Sequence, residues 1–226
     1  MTFALQKVNH SKLNPYTHKI ELKSQNAWKH LAGQYIKVEC QGREFPLSIA
    51  NAPNQAGIIE CHVQDLPHNP MPKSLKANLD QETWHIQGPF GKAYYRDSDR
   101  PMILIAGGSG FAYIKAIVEA AIADNRNIHC YWGVRHPEFL YLDAQLNALA
   151  QDHSRFHYSP VVSEPNTQWT GLIGLVHQIA LETHPNLSDF DIYMAGPFDM
   201  VFVAEKAFLT HGAQPEHLFA DAFEFR

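Results

Sequence analysis

Residues 101–116 read PMILIAGGSGFAYIKA, and the order of residue types along them decides the fold. The unbroken apolar run at 102–106 is the pattern of a strand buried on both faces, as in a parallel sheet covered by helices. It empties into Gly107-Gly108-Ser109-Gly110, and an apolar-periodic helix begins at about Phe111 or Ala112. A strand, a glycine turn and a helix start make a phosphate cradle. Glycines let backbone approach an anion, and the helix N-terminus presents unpaired N–H groups and a positive dipole end. The GxGxxG fingerprint is not met, because Tyr113 stands where its third glycine would fall. An ordinary tight βα turn fits the same residues, so the rest of the chain has to decide.

Upstream of this stretch the chain reads as short strands with turn punctuation. Candidates are residues 3–13, 17–23, 34–40, 45–50, 58–64 and 83–87, separated by Asn-Pro, Ala-Gly-Gln and Gln-Gly turns. Six such strands predict a small antiparallel β-barrel, with one helix at about 73–79. Downstream the period changes. Strands at 102–106, 128–132, 156–162, 192–195 and 218–223 alternate with helices running to about 124 and over 140–152, 172–184 and 197–211. Five strands with four helices predict a five-stranded parallel sheet in an α/β domain, with ligands at the carboxyl ends of its strands.

Charge changes sign at the same place. Residues 1–98 hold 11 Lys/Arg against 8 Asp/Glu, and residues 99–226 hold 7 against 15. The expected division is therefore a barrel domain over 1–98 and an α/β domain over 99–226. The first half is the better host for an anion, and neither half carries the basic stripe of a nucleic-acid binder. The three cysteines are isolated and form no zinc or iron–sulfur motif. The fourteen histidines show no ligand spacing on a shared element, so no metal is assigned. No signal peptide or membrane-length apolar run is read, and a cytoplasmic location is expected.

Three small-residue turns fall at carboxyl ends of the α/β strands and would open onto one crevice. They are Gly107–Gly110, Gly133-Val134-Arg135 and Ala195-Gly196-Pro197-Phe198-Asp199-Met200. Pro197 suits a first helical position, where its missing N–H costs nothing. In the barrel half, Phe45-Pro46-Leu47-Ser48-Ile49-Ala50 places one hydroxyl in an apolar stretch, and its proline requires an edge strand or a strand start.

A barrel half carrying P-x-S-I-A, followed by AGGSGF, YWGVR and AGPFDM, resembles the ferredoxin–NADP⁺ reductase superfamily. More narrowly it is similar to the bacterial NAD(P)H:flavin oxidoreductases, from about Leu5 through Asp221-Ala222-Phe223-Glu224-Phe225. The resemblance implies that Ser48, with Pro46 and Leu47, meets the flavin, Ser48 near its N5. It implies that Gly107, Gly108, Ser109, Gly110 and the adjoining Phe111 hold NADH or NADPH, together with Arg135, Gly196, Pro197, Phe198 and Met200. It makes Phe223 and Phe225 flavin neighbours. No acid–base dyad is expected, because the cofactors carry the hydride chemistry.

The departures fall on the phosphate side of the flavin. The superfamily's arginine position is Phe45 and its stacking aromatic is Leu47; Arg43, two residues earlier on the same face of a strand, is expected to compensate in part as a flavin-binding residue. Its later G-x-x-S phosphate site is Met71-Pro72-Lys73-Ser74 here, without the glycine. These losses imply weak hold on an FMN phosphate and no durable FAD site. Flavin, as riboflavin or FMN, would then be an exchangeable substrate, its reduced form serving a monooxygenase, iron reduction or another acceptor. The alternatives are a reductase that retains flavin and passes electrons directly to a ferredoxin or oxygenase, and a binding module without turnover. Arg135 and Glu164 give opposed cues on the adenosine ribose. Ser163-Glu164 replaces the Ser-Arg pair of NADP⁺-specific relatives, which favours NADH.

Overall fold

The computed structural model describes residues 2–24 and 28–225. Its first half forms six strands, β1 (Thr2–Asn14), β2 (Thr17–Ser24), β3 (Tyr35–Cys40), β4 (Arg43–Ser48), β5 (Ile58–Gln64) and β6 (Thr83–Phe90). All pairings are antiparallel, in the order β4-β3-β6-β1-β2-β5. A bridge between Ile49 and Cys61, with Ala50 N–H donating to the Glu60 carbonyl at 2.7 Å, joins the two ends into a barrel. Period-2 alternation sends Leu5, Ile20, Leu22, Ile36, Val38, Ile59, Trp84 and Ile86 inward, all fully buried. Helix α1 (Lys73–Asn78) contributes Leu75 to this core.

The second half contains β7 (Met102–Gly107), α2 (Phe111–Ala123), β8 (Ile128–Val134), α3 (Asp143–Asp152), β9 (Phe156–Val162), β10 (Leu172–Ile173), α4 (Val176–Thr183), β11 (Asp191–Ala195), α5 (Phe198–Thr210) and β12 (Leu218–Phe219). The strands form one parallel sheet in the order β10-β9-β8-β7-β11-β12. Along β7 the side chains divide by alternation. Met102, Leu104 and Ala106 face α2 and the barrel, while Ile103 and Ile105 face α4 and α5.

The five expected parallel strands are present, and the structure adds a sixth. Leu172–Ile173 pair with Val161 and Val162 as β10, where a helix was expected from residue 172. Gly174, at φ +143°, turns the chain before α4 can start. The helix expected from 140 begins instead at Asp143, because Leu140, Tyr141 and Leu142 are drawn into the core. The last strand ends at Phe219 rather than 223, and Asp221–Phe225 coil into 3-10 turns that return to the barrel.

Helix α2 lies between sheet and barrel. Gly33, at φ +95°, lets the barrel backbone lie against Ile117 and Tyr113, where a β-carbon would come within 2.8 Å of Ile117. The Tyr113 hydroxyl donates to the Ala93 carbonyl, and Tyr193 Oη accepts from Arg96 N–H at 2.8 Å. No helix among the described residues is long and apolar enough to cross a membrane.

Candidate functional site

The sheet runs outward from β7 through β8 and β9 to β10, and the chain then crosses back to lay β11 on the opposite side of β7. That reversal makes the carboxyl ends of β7 and β11 a topological switch point, the usual ligand crevice of an open α/β sheet. It also sets the two glycine turns side by side. A β-carbon on Gly110 would lie 2.5 Å from the Ala195 carbonyl, and one on Gly196 (φ +151°) would lie 3.0 Å from Gly107 Cα. Met200, from the first turn of α5, fills the space beside Gly107 and Gly196. Three of the expected glycines are thus required by the contact of one turn with the other. Gly108 differs: its φ is +54°, and nothing among the described residues lies within 4 Å of where its β-carbon would stand. There the backbone borders open space, as a cradle for a ligand requires.

Gly108–Gly110 form a single 3-10 turn that runs into α2. No side chain caps this N-terminus and no acidic residue occupies its first turn, so its N–H groups and dipole are available to an anion. Phe111 requires a correction. It is fully buried and stacks on Trp132 at 3.9 Å between ring centroids, so it supports the loop from beneath and presents nothing to the crevice.

In the barrel, Ser48 ends β4 opposite Tyr35, and Tyr35 packs on Phe90 at 5.6 Å. The pleat puts Pro46 and Ser48 on the outer face of β4 and Arg43, Phe45 and Leu47 on the inner one. Phe45 and Leu47 pack against the barrel core, which removes Leu47 from the open face where a flavin contact was expected. Arg43 does lie on the side of Phe45, but at the far, exposed end of the strand opposite Cys40, five residues from Ser48. The structure does not bring it to the serine.

The C-terminal turns connect the two halves of the site. Glu224 Oε1 accepts the Lys92 N–H at 2.5 Å, and Asp221 Oδ1 lies beside Gly91, which in turn abuts Tyr35. Burial, with Glu224 nearby, pushes the Asp221 carboxyl up to about 7. Among the described residues Asp221 Oδ1 is buried without a hydrogen-bond partner, at the junction of the halves. Phe225 stacks on Phe198 at 5.7 Å, both about half exposed, and Phe223 packs on Phe202. Sequence reasoning missed Tyr35 and Asp221, which only the return of the tail to the barrel brings together.

Arg135 follows β8 and is exposed. Its Nε lies 3.3 Å from Glu164 Oε1, and the His136 ring lies 3.7 Å from the other carboxylate oxygen. The two opposed cues from the sequence therefore face each other as an ion pair. The segment expected to face the flavin phosphate, residues 71–74, has its own partners within the chain. Asp65 Oδ1 accepts the Met71 N–H at 2.9 Å, and Asp65 Oδ2 pairs with Lys76 at 2.7 Å. Lys76 and the Met71 N–H hold the Asp65 carboxyl below its usual range.

Two glycine turns at a sheet switch point, packed through α2 against a β-barrel, define a fold of the ferredoxin-reductase type. Residues 104–206 match the oxidoreductase NAD-binding domain family. The chain is 40% identical over 205 residues to an NAD(P)H-flavin reductase of Aliivibrio fischeri, covering 86% of each chain. It is 39% identical over 198 residues to a CDP-6-deoxy-L-threo-D-glycero-4-hexulose-3-dehydrase reductase of Yersinia pestis, spanning 86% of this chain but 60% of that longer protein. Among solved structures, a ferredoxin reductase in carbazole 1,9a-dioxygenase superposes with a TM-score of 0.87 at 24% identity, over 99% of this chain and 69% of that one. The chain belongs to the family of NAD(P)H-flavin reductases, and its fold is that of the ferredoxin reductases.

Proposed function

We propose that this protein oxidises NADH or NADPH and reduces a flavin that enters and leaves as a substrate. The observation that carries the exchangeable-flavin reading is the bond from Met71 N–H to Asp65. In the segment aligned with the superfamily's phosphate site, the Met71 backbone donor is already taken by a carboxylate of the same chain and is not free for a phosphate. Phe45, in place of the superfamily arginine, packs against the core and offers no donor.

The residues suit both ligands: an open glycine cradle at Gly108, an uncapped helix N-terminus, and a buried carboxyl oxygen of Asp221, unpartnered among the described residues, near Tyr35, which pairs with Ser48. Once bound, nicotinamide and flavin supply the hydride chemistry between them. The chain's part is alignment. Gly107, Gly108, Ser109 and Gly110 present backbone donors to the dinucleotide phosphates. Gly196 and Pro197, with Met200 wedged behind them, set the wall against which the nicotinamide end lies. Ser48, held at the end of β4, offers one hydroxyl to the flavin edge. Phe198 and Phe225 cover the opening and limit water. The Arg135–Glu164 pair occupies the arginine that would meet a 2′-phosphate, which supports acceptance of NADH at least equal to that of NADPH. The reduced flavin would serve a flavin-dependent monooxygenase or ferric reduction.

The test is steady-state oxidation of NADH and NADPH with riboflavin, FMN and FAD in parallel, with flavin content measured before and after dialysis. The expected result is turnover with similar KM values for riboflavin and FMN, and a colourless dialysed protein. Stoichiometric flavin surviving dialysis overturns the exchange reading in favour of direct electron transfer to a protein partner. No oxidation with any flavin overturns the enzyme reading.

A further inference from the structure

Trp132 is fully buried in β8, in register with Ala106 of β7, and its indole N–H donates to the Gly108 carbonyl at 3.0 Å. The Phe111 N–H donates to that carbonyl as well. A trans peptide is planar, with its C=O and N–H on opposite sides. A Gly108 carbonyl turned toward the buried indole therefore turns the Ser109 N–H away from the core. Gly108 itself borders open space.

The indole is held from two sides. Phe111 stacks on it at 15°, and Tyr141 meets it edge-on at 4.9 Å. Tyr141 is buried, and its hydroxyl lies 3.1 Å from Nδ1 of His62 on β5. Burial keeps His62 neutral, so its Nε2–H donates to Glu60 at 2.7 Å and its Nδ1 accepts from Tyr141. Glu60 pairs with Lys115 of α2 at 3.1 Å, and Lys115 Nζ donates to the Ala50 carbonyl at 3.0 Å. Ala50 lies two residues beyond Ser48. A continuous path of contacts thus runs from the end of the serine strand, across the domain interface, to the peptide at the top of the glycine cradle.

We propose that Trp132 is a positioning residue for the pyridine dinucleotide. Its indole N–H aims the Gly108–Ser109 peptide so that the Ser109 N–H faces the bound pyrophosphate, and the Tyr141–His62 contact holds the indole in that pose. Trp132 touches neither substrate. The inference rests on the function proposed above, and it gives a role to a residue that a purely structural account would explain as a buried N–H finding a partner.

The test compares Trp132→Phe, which keeps an aromatic ring and deletes the N–H, with Tyr141→Phe, which keeps the ring and deletes the hydroxyl. For W132F the expected result is a rise of about 3- to 10-fold in the KM for NADH, the worth of one neutral hydrogen bond. The flavin KM should stay within about twofold of wild type. Y141F should raise the NADH KM in the same direction by less. A folded W132F whose NADH KM is unchanged, or whose NADH and flavin KM values rise together, overturns the proposal. Should W132F fail to fold, Y141F decides by the same criterion. Titration calorimetry with ADP-ribose as probe separates this proposal from the functional one. If wild type binds ADP-ribose and W132F binds it as tightly, the positioning role is wrong whether or not flavin is reduced.

Discussion

Gly110 stands so close to Ala195 that a β-carbon on it would lie 2.5 Å from both the carbonyl carbon and oxygen of that residue. The neighbour is backbone at the end of a central strand and cannot rotate away. Gly108, two residues earlier, has free space but a left-handed φ of +54°. The two glycines therefore differ in what alanine would do. Gly110→Ala should separate the two turns, costing about 1–3 kcal/mol or more as overpacking does, and should sharply weaken nucleotide binding. Gly108→Ala should cost only the left-handed strain, about 1–2 kcal/mol, while nucleotide binding falls less. Thermal unfolding with NADH KM on both variants checks the order; equal effects would contradict it.

Ser48 is the one hydroxyl of β4, and the pleat presents it outward at the end of the strand where a flavin is proposed to lie. Ser48→Ala should lower kcat/KM for flavin about 3- to 10-fold, the range for one lost hydrogen bond, and leave the NADH KM unchanged. Steady-state kinetics with flavin varied at saturating NADH measures it. An NADH-side effect would place the serine elsewhere in the reaction.

Arg135 and Glu164 hold each other at 3.3 Å while both are more than half exposed. A pair this exposed is weak, about 0.2–1 kcal/mol, so it biases the arginine against a 2′-phosphate only modestly. Glu164→Gln should free Arg135 and raise the NADPH-to-NADH ratio of kcat/KM about 2- to 5-fold, consistent with that energy. Arg135→Ala should lower the same ratio. Kinetics with both nucleotides at low and high salt gives the answer, and the shift should shrink as salt rises.

Asp221 couples stability to pH. Its carboxyl is raised from an ordinary 3.8 to about 7 in the fold, by burial and then by Glu224. The folded state therefore binds the proton more tightly than the unfolded chain. The protonated group's contribution is full below about pH 4 and is lost as pH rises through 7, by up to about 4 kcal/mol for a shift of this size. Asp221→Asn should remove that decline, making the variant more stable than wild type at pH 8 and nearly level with it at pH 4. Denaturant midpoints across pH 4–8 test the sign. A variant that is less stable at pH 8 would show that the carboxylate is satisfied there.

Much of the fold can be read from local patterns. The continuous apolar run of β7 and the alternation in β2, β3 and β6 arise because each strand meets one or two buried faces, and burial acts residue by residue. The glycines at 107, 110 and 196 mark where the chain must come close and Gly108 where it turns left-handed, which is why the loop is legible without the usual fingerprint. What local pattern leaves out is direction. Phe111 opens α2 and looks like part of the loop, yet the helix turns it under the sheet edge onto Trp132. Leu47 lies between two outward residues, and the pleat of β4 sends it to the barrel core. Leu172–Ile173 read as the start of a helix, but pairing with the edge of β9 outweighs helix propensity for two residues before Gly174.

By itself the sequence determined an antiparallel barrel followed by a parallel α/β sheet, the two glycine turns and the serine strand, because periodicity and glycine placement are short-range properties. The tertiary structure alone decided what those parts face. Gly110 needs Ala195, Arg135 is answered by Glu164, Asp65 occupies the Met71 N–H, and Trp132 reaches the Gly108 carbonyl. Each of these contacts joins residues from separate elements, and their relation is set by strand order and by the docking of α2 between sheet and barrel. Asp221 depends on both levels, since its carboxyl acquires an unusual proton affinity only when the tail returns to Gly91 and excludes water.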